Sequence, residues 1–307
     1  MWRCVLLGLT LTAACGGKAV IDGETGTGGA SSSTTSSSSS ASGAGGAAPP
    51  PVDVCGRCGE AVPEVVGSAP AALDELSGLA ASRVVPGRIW AHNDSGDAPR
   101  LYLLDDSPAV PVEAKAVDWE DIAAGPCPDG DCLYVGDIGD NDEIRDDYVV
   151  YRVVEPSAAV MGPLAATPLP FAYPDGSHNA EALFFAEGTL WIITKSLTGV
   201  SQVFRFPALE PNQTLEEVVG AFQPPEGSLA VTGADANDLG VLVRTYSGLF
   251  FYDTQGTSVA AALAGSPCRL VAALEPQGEA VAWLRPDLGF VTASEGQAVP
   301  IHRSSCP

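Results

Sequence analysis

Short apolar or alternating runs, separated by Gly, Pro, Asp and Asn, recur along the chain in five sets past residue 70. Runs of this kind are typical of short β-strands, and this region has no good helical periodicity. The sets repeat at roughly forty to sixty residues, which is the length of one four-stranded propeller blade. The first runs of the five sets are Leu76–Ser82, Trp119–Ala124, Ala180–Ala186, Leu229–Asp235 and Ala280–Leu284. Packing blade on blade around an axis would bury the apolar face that each sheet exposes by itself.

The fifth set stops after three runs near the end of the chain, so its fourth strand has to come from elsewhere. Ala61–Val66 could supply that outer strand and close the ring. The sequence therefore predicts an all-β fold, a β-propeller of five blades with four antiparallel strands each. Six blades are the alternative count because the set boundaries are blurred, and a β-sandwich is the alternative architecture.

The first fourteen residues have the features of an export signal. Arg3 is followed by the apolar segment Val5–Ala14, which is too short to span a bilayer and ends in small residues. Leu11–Cys15 resembles the lipobox of bacterial lipoproteins, in which the cysteine is lipidated and becomes the mature N-terminus. We therefore expect a signal peptide over 1–14 and lipidation at Cys15, with an ordinary secretory signal as the alternative.

The segment after Cys15 has the composition of a tether. Gly26–Pro51 consists almost entirely of Gly, Ser, Thr, Ala and Pro, which cannot bury enough apolar surface to fold. We expect a disordered tether over 15–51 and the propeller domain over 52–307. The protein would then be exported and lipid-anchored to a bacterial membrane, facing the periplasm or the cell exterior.

The net charge of −23 constrains the partners of this chain. Such a surface repels nucleic acid and anionic lipid headgroups and favours cations. We expect no nucleic-acid partner, contact with the membrane only through the lipid anchor, and a monomer that binds a small molecule or an envelope protein.

Six cysteines follow the tether, and an even number in an exported chain indicates disulfides. They are Cys55, Cys58, Cys127, Cys132, Cys268 and Cys306. Cys127 and Cys132 bracket a turn between two strand-like runs, so we expect them to pair. The simplest completion pairs Cys268 with Cys306 and Cys55 with Cys58, although six cysteines allow fifteen connectivities. A redox or metal site at Cys55 and Cys58 is the alternative.

Carboxylates recur on the first strand of the sets. An alignment of these strands puts an acidic residue at one position in four of five sets: Glu120, Glu181, Asp235 and Glu279, with Asp121 beside the first of them. The first strand of a blade lines the axial channel, so these side chains should converge. Carboxylates that share one space raise each other's pKa unless a cation neutralises them.

The second strands of two sets end in further oxygen ligands, in His92–Asp97 and in Gly136–Asp142. Asn93 and Asn141 add amide oxygens, and ligand sets made of oxygen alone favour Ca²⁺ over Mg²⁺ where the cage is irregular. The sequence therefore predicts a calcium site formed by Asn93, Glu120, Asp121, Asn141, Glu181, Asp235 and Glu279. The alternative is that Asp, Asn and Gly merely make the turns. If the site is catalytic, His92 or Asp94 would supply the base.

Several strings resemble a group of exported bacterial propellers of unknown role. They include Asp118–Ala123, Tyr134–Asn141, Tyr151–Pro156 and Asn179–Leu183. Ser77–Leu79 and the acidic strand starts are also similar to the phytase-like and SdiA-regulated propeller families. The resemblance covers residues 70–200 and implies a propeller that carries calcium, without implying a substrate.

Two functional hypotheses follow from these patterns. In the first, the chain is an envelope-anchored, cation-binding module that binds or scaffolds a partner. In the second, it is a calcium-dependent hydrolase of the lactonase or phosphoesterase type, in which the metal polarises a substrate oxygen or activates water. Fold alone does not choose between them.

Overall fold

The structure of the protein is a computed structural model, and it describes residues 50–105, 107–158, 162–197, 200–225 and 230–307. The predicted signal peptide, the lipidation site at Cys15 and all but the last two residues of the predicted tether lie outside these residues. The described part starts with the short helix α1 (Val54–Cys58) and the strand β1 (Glu64–Ser68). Five small sheets follow, and they confirm the predicted five-bladed propeller.

Each blade is a meander in which the first strand lies innermost. Blade 1 contains β2 (Leu76–Ala81), β3 (Ile89–Asn93), β4 (Arg100–Leu103) and β5 (Val110–Pro111). Blade 2 contains β6 (Trp119–Cys127), β7 (Gly130–Asp137), β8 (Val149–Val154) and β9 (Ala166–Ala172). Blade 3 contains β10 (Ala180–Ala186), β11 (Thr189–Thr194), β12 (Ser201–Arg205) and, after the short β13 (Gln213–Thr214), β14 (Glu216–Phe222). The strand β13 pairs in parallel with β9 of blade 2.

The last two blades close the ring. Blade 4 contains β15 (Val231–Asn237), β16 (Gly240–Thr245), β17 (Gly248–Asp253) and, after the helix α2 (Val259–Leu263), β18 (Cys268–Leu270). Blade 5 contains β19 (Gly278–Trp283), β20 (Gly289–Ser294) and β21 (Pro300–Ser305). Its outer strand is β1, which pairs antiparallel with β21. The N-terminal segment that was expected to complete the ring does so, two to three residues further along than predicted.

The core lies between the blades, in five separate apolar clusters. Four buried tryptophans belong to these clusters: Trp90, Trp119, Trp191 and Trp283. Each cluster joins two neighbouring blades, because the strands alternate side chains between the two faces of each sheet. The two described helices have five residues each, and no helix in the described residues is long and apolar enough to cross a membrane.

All six cysteines of the folded part form disulfides, and the predicted Cys127–Cys132 pair is confirmed. The other two predicted pairs are wrong, because Cys55 bonds to Cys268 and Cys58 to Cys306. The physical reason is the position of α1, which packs in the cluster between blades 4 and 5. The two cysteines of α1 therefore bond the start of the domain to the outer strand of blade 4 and to the chain end after β21. The strand β21 is also the one that pairs with β1 to close the ring. Disulfides of this kind are typical of extracellular or periplasmic proteins.

Candidate functional site

The innermost strand of every blade carries a β-bulge near its start. The register shifts fall between residues 76 and 78, 119 and 121, 180 and 182, 231 and 233, and 278 and 280. A bulge inserts one unpaired residue and re-aims its side chain. The five bulge residues are Ser77, Glu120, Glu181, Thr232 and Glu279, all buried. We call this set the bulge ring.

The bulge ring corrects one position of the sequence alignment. The carboxylate of blade 4 is not in the ring, because the bulge of β15 falls at Thr232 and Asp235 lies three residues further along. Thr232 donates to the backbone carbonyl of Gly278 at 2.8 Å. Ser77 likewise donates to the backbone carbonyl of Glu120 at 2.5 Å. The ring therefore holds three carboxyl groups, while its two hydroxyls join neighbouring blades.

Glu120 belongs to a tighter group at the border of blades 1 and 2. Asp94, Asp118 and Glu120 each offer a carboxylate oxygen within 4.8 Å of the other two. Asp94 follows the end of β3, and Asp118 precedes β6. A Cβ built on Gly139 would collide with Oε1 of Glu120 and Oδ2 of Asp118, so a larger residue here would force both carboxylates to move. We call the three residues the carboxylate triad.

The carboxylate triad carries an excess of negative charge in a poorly solvated place. Burial raises the pKa of Asp118 to about 6, and the neighbouring Asp94 adds to the rise. Burial, Glu181 and Asp94 together raise the pKa of Glu120 well above its usual value. Burial also raises the pKa of Asp94. A cation placed between the three groups would reverse these shifts.

Glu181 has a counter-ion of its own. The Nζ of Lys195 donates to Oε1 of Glu181 and lies 5.1 Å from the ring centroid of Tyr246. Burial raises the pKa of Glu181 to about 7, although Lys195 opposes the rise. Burial and the neighbouring Glu181 raise the pKa of Glu279 to about 8, so Glu279 is mostly protonated at pH 7. Glu181 therefore has a direct counter-ion, whereas the acids of the carboxylate triad raise each other's pKa.

Two predicted ligands serve as links between backbones instead. Oδ2 of Asp121 accepts from the backbone N–H groups of Leu183 at 2.9 Å and Ala234 at 3.1 Å, and Oδ1 accepts from that of Ile122 at 2.8 Å. One fully buried carboxyl group thus connects blades 2, 3 and 4 across the axis.

Asp235 has a similar linking role. Its Oδ2 accepts from Trp283 N at 2.8 Å and its Oδ1 from Ala236 N at 2.8 Å, which connects blades 4 and 5. Asp121 and Asp235 thus link blades through backbone N–H groups, and neither belongs to the carboxylate triad.

The two predicted asparagine ligands are also engaged. Oδ1 of Asn93 accepts from Glu75 N at 3.3 Å, and its Nδ2 donates to the backbone carbonyl of Ala72 at 2.7 Å. Oδ1 of Asn141 accepts from Nδ2 of Asn179 at 3.2 Å. Both amides therefore have hydrogen-bond partners outside the carboxylate triad.

The structure places His92 in the core and not at a surface. Its ring has no exposed area, Nδ1 lies 2.8 Å from the backbone oxygen of Asn93, and Trp119 packs against it edge-on. Burial lowers the pKa of this imidazole to about 4. His92 is therefore neutral at pH 7 and out of reach of a substrate, which removes it as a candidate base. Asp94, the other predicted candidate base, belongs to the carboxylate triad.

His178 is the histidine that faces a cavity. Its Nε2 lies 2.8 Å from Oδ1 of Asp175. A cavity of about 710 Å³ is lined by His178 together with Asn141, Asn179, Lys195 and Tyr246, among others. A carboxylate that holds one nitrogen of an imidazole orients the ring and favours one tautomer.

Sequence reasoning gave no site role to Asp118 or Lys195. Asp118 stands in a string that was noted only for its resemblance to other propellers. Lys195 carried a signal that could have been used, since it is one of only three lysines in the chain and directly follows β11.

The fold resembles that of several enzymes of known structure. A GH43 glycoside hydrolase engineered for endo-xylanase and exo-arabinofuranosidase activity matches with a TM-score of 0.52 at 10% identity, over 79% of this chain and 51% of that one. Glutaminyl cyclase from Myxococcus xanthus matches with a TM-score of 0.46 at 15% identity, over 80% and 98%. A glucose dehydrogenase-type oxidoreductase from Thermus thermophilus matches with a TM-score of 0.44 at 13% identity, over 79% and 99%. At such identities the likeness shows the fold alone. No protein-family model matches the chain, and no curated protein does.

Proposed function

We propose that this chain is a calcium-binding propeller whose ion is held by Asp94, Asp118 and Glu120 and recruits a partner or small molecule to the cell envelope. The observation that carries the proposal is the mutual approach of three carboxylate oxygens to within 4.8 Å. Carboxylate oxygens are hard ligands, which suit Ca²⁺ better than a transition metal. The anchor at Cys15 and the envelope location remain predictions from the sequence.

The chemistry of the donor set fits such an ion. The described residues place no sulfur or imidazole ligand in the carboxylate triad. Gly139 brings backbone against two of the three carboxylates. Lys195 already neutralises Glu181. When bound, the ion would neutralise the triad and offer open coordination positions to oxygens of a ligand.

Glu120→Gln should weaken calcium binding by at least about tenfold, because one of three charged ligands becomes a neutral amide. Isothermal titration of the chelator-treated protein with CaCl₂ measures the affinity. Glu279→Gln is the matched control: it lies in the same bulge ring but replaces a carboxyl group that is already protonated at pH 7, so it should leave the affinity unchanged. Equal affinity of wild type and Glu120→Gln would exclude the carboxylate triad as the binding site.

The cavity beside His178 supports a second candidate, a calcium-dependent hydrolase. His178, oriented by Asp175, would accept a proton from a water molecule in this cavity. This proposal moves the base from His92, which is buried, to His178.

A panel of lactones and phosphomonoesters tests the hydrolase. We expect calcium-dependent turnover that falls at least about a hundredfold in His178→Ala, the usual contribution of a general base. Val200→Ala, which alters the same cavity wall without touching His178 or Asp175, should retain most of the activity. Turnover that persists in His178→Ala would remove this residue from the mechanism, and no turnover on the panel would favour the binding module.

A further inference from the structure

A second cavity lies at the mouth opposite the bulge ring. The bulge residues stand near the starts of the innermost strands, whereas this cavity of about 500 Å³ is lined by the ends of those strands and the turns after them. Ala124 and Pro126 come from the end of β6, Glu187 from the turn after β10, and Asn237 and Asp238 from β15 and its following turn. No candidate function of the carboxylate triad uses this end of the molecule.

Two arginines line this mouth, although the chain as a whole is strongly acidic. Arg83 comes from the loop after β2 and Arg285 from the residues after β19. Burial raises the pKa of Asp235 to about 6, and the positive charges of both arginines oppose this rise. The cavity thus joins cationic groups from two blades.

The guanidinium of Arg285 has hydrogen-bond donors that are not used within the described residues. Its Nη2 makes one long hydrogen bond of 3.4 Å to the backbone carbonyl of Ala236, and its Nε is buried without a partner. Arg285 forms no ion pair with any carboxylate of the described residues. Arg83, by contrast, uses its Nε for Asp131 at 2.5 Å. A guanidinium with unused donors in a partly dehydrated place suits the bidentate binding of a carboxylate.

The other residues of the lining indicate which further chemical groups a ligand of this cavity should have. Phe185, Pro126 and Val259 give the cavity an apolar wall. Of the two acidic residues of the lining, Glu187 already accepts from the backbone N–H of Val259 at 3.0 Å. Asp238 is the acidic residue left to accept a hydrogen bond from a ligand.

We propose that this cavity binds a small organic acid that has an apolar body and a hydroxyl group. Its carboxylate pairs with the guanidinium of Arg285, its apolar body lies against Phe185 and Val259, and its hydroxyl donates to Asp238. An organic cation would be repelled by Arg285, and a purely apolar ligand would leave its guanidinium without a counter-ion. The site is independent of the calcium proposal, because it shares no residue with the carboxylate triad.

Three probes that share a phenyl group test the proposal by isothermal titration: 3-phenyllactate, 3-phenylpropanoate, which lacks the hydroxyl, and 2-phenylethanol, which lacks the carboxylate. We expect 3-phenyllactate to bind most tightly, 3-phenylpropanoate more weakly because it lacks the hydroxyl, and 2-phenylethanol not to bind measurably. Arg285→Lys should weaken 3-phenyllactate binding by about tenfold, because lysine keeps the charge but loses the planar pair of donors. Arg303→Lys is the control, since Arg303 forms a surface ion pair with Asp287 on another part of blade 5.

Absence of binding of both acids to the wild-type protein would overturn the proposal. So would equal binding of the acid and the alcohol, or an affinity that Arg285→Lys leaves unchanged. Asp238→Asn provides a second variant that should selectively reduce the preference for 3-phenyllactate over 3-phenylpropanoate. Circular dichroism of each variant confirms that it is folded, and calcium titration of Arg285→Lys should match the wild type whether or not the triad binds calcium.

Discussion

Replacing Asp121 with alanine is expected to lower the free energy of unfolding by about 4 kcal/mol, the sum of several buried N–H groups left without an acceptor at about 1–3 kcal/mol each. The three donors are the backbone N–H groups of Ile122, Leu183 and Ala234. They belong to three different blades, and no water can replace the carboxyl group without entering the fully buried axis. Urea denaturation followed by tryptophan fluorescence measures the loss.

Asp287→Ala is the matched control for this experiment. Asp287 is exposed and pairs with Arg303 at 3.4 Å on the surface, so its removal should change the stability by less than about 1 kcal/mol. If Asp121→Ala lost no more stability than Asp287→Ala, the linking role of Asp121 would be refuted. With a chelator present throughout, the loss cannot come from weaker calcium binding, so the experiment also separates Asp121 from the ligands of the carboxylate triad.

The second large expected effect is a fall in the stability of the calcium-free protein as the pH rises from about 4.5 to about 8. The pKa of Glu279 is raised from its usual 4.5 to about 8 in the folded state. Across this window the unfolded chain has released a proton that the folded protein still holds, so ionisation favours the unfolded state. Burial is the main cause of the raised pKa. The shift corresponds to a loss of unfolding free energy on the order of 5 kcal/mol, which is complete above pH 8.

Chemical denaturation at a series of pH values in the presence of a chelator checks this expectation. Glu279→Gln, which mimics the protonated carboxyl group, should flatten the upper part of the pH dependence. The pKa of Glu181, raised to about 7, adds a slope of the same sign at lower pH. Stability that rose with pH over this range in the wild type would contradict the burial and mutual repulsion described for the bulge ring.

Much of the fold could be predicted from the pattern of short runs. Five repeated sets gave the five blades, and the missing strand of the last set pointed to an N-terminal partner. Cys127 and Cys132 could be paired because they are neighbours on one hairpin. The partners of Cys55 and Cys58 could not be predicted, because they depend on where α1 packs relative to blades 4 and 5. Local sequence contains no information about that contact.

The candidate site was predicted only in outline. The sequence correctly placed Glu120, Glu181 and Glu279 on the innermost strands. An acidic residue that recurs at the same position of successive repeats is visible in a sequence. The alignment of Asp235 with them was wrong, because the bulge of β15 lies three residues earlier, at Thr232, and a bulge leaves no unambiguous trace in the sequence. Asp94 was predicted as a base and not as a partner of Glu120, because the two lie on different blades.

By itself the sequence determined the strand periodicity, the number of blades and the acidity of the innermost strands, since each of these depends on residues close together in the chain. Tertiary structure alone decided which acids meet. The fold brought Asp94, Asp118 and Glu120 together and paired Lys195 with Glu181. It also directed Asp121 and Asp235 toward backbone N–H groups. His92 became buried in the core. The physical reason is that the charge state and role of a buried carboxyl group depend on its solvation and on neighbours from other blades, and the folding of the ring creates both.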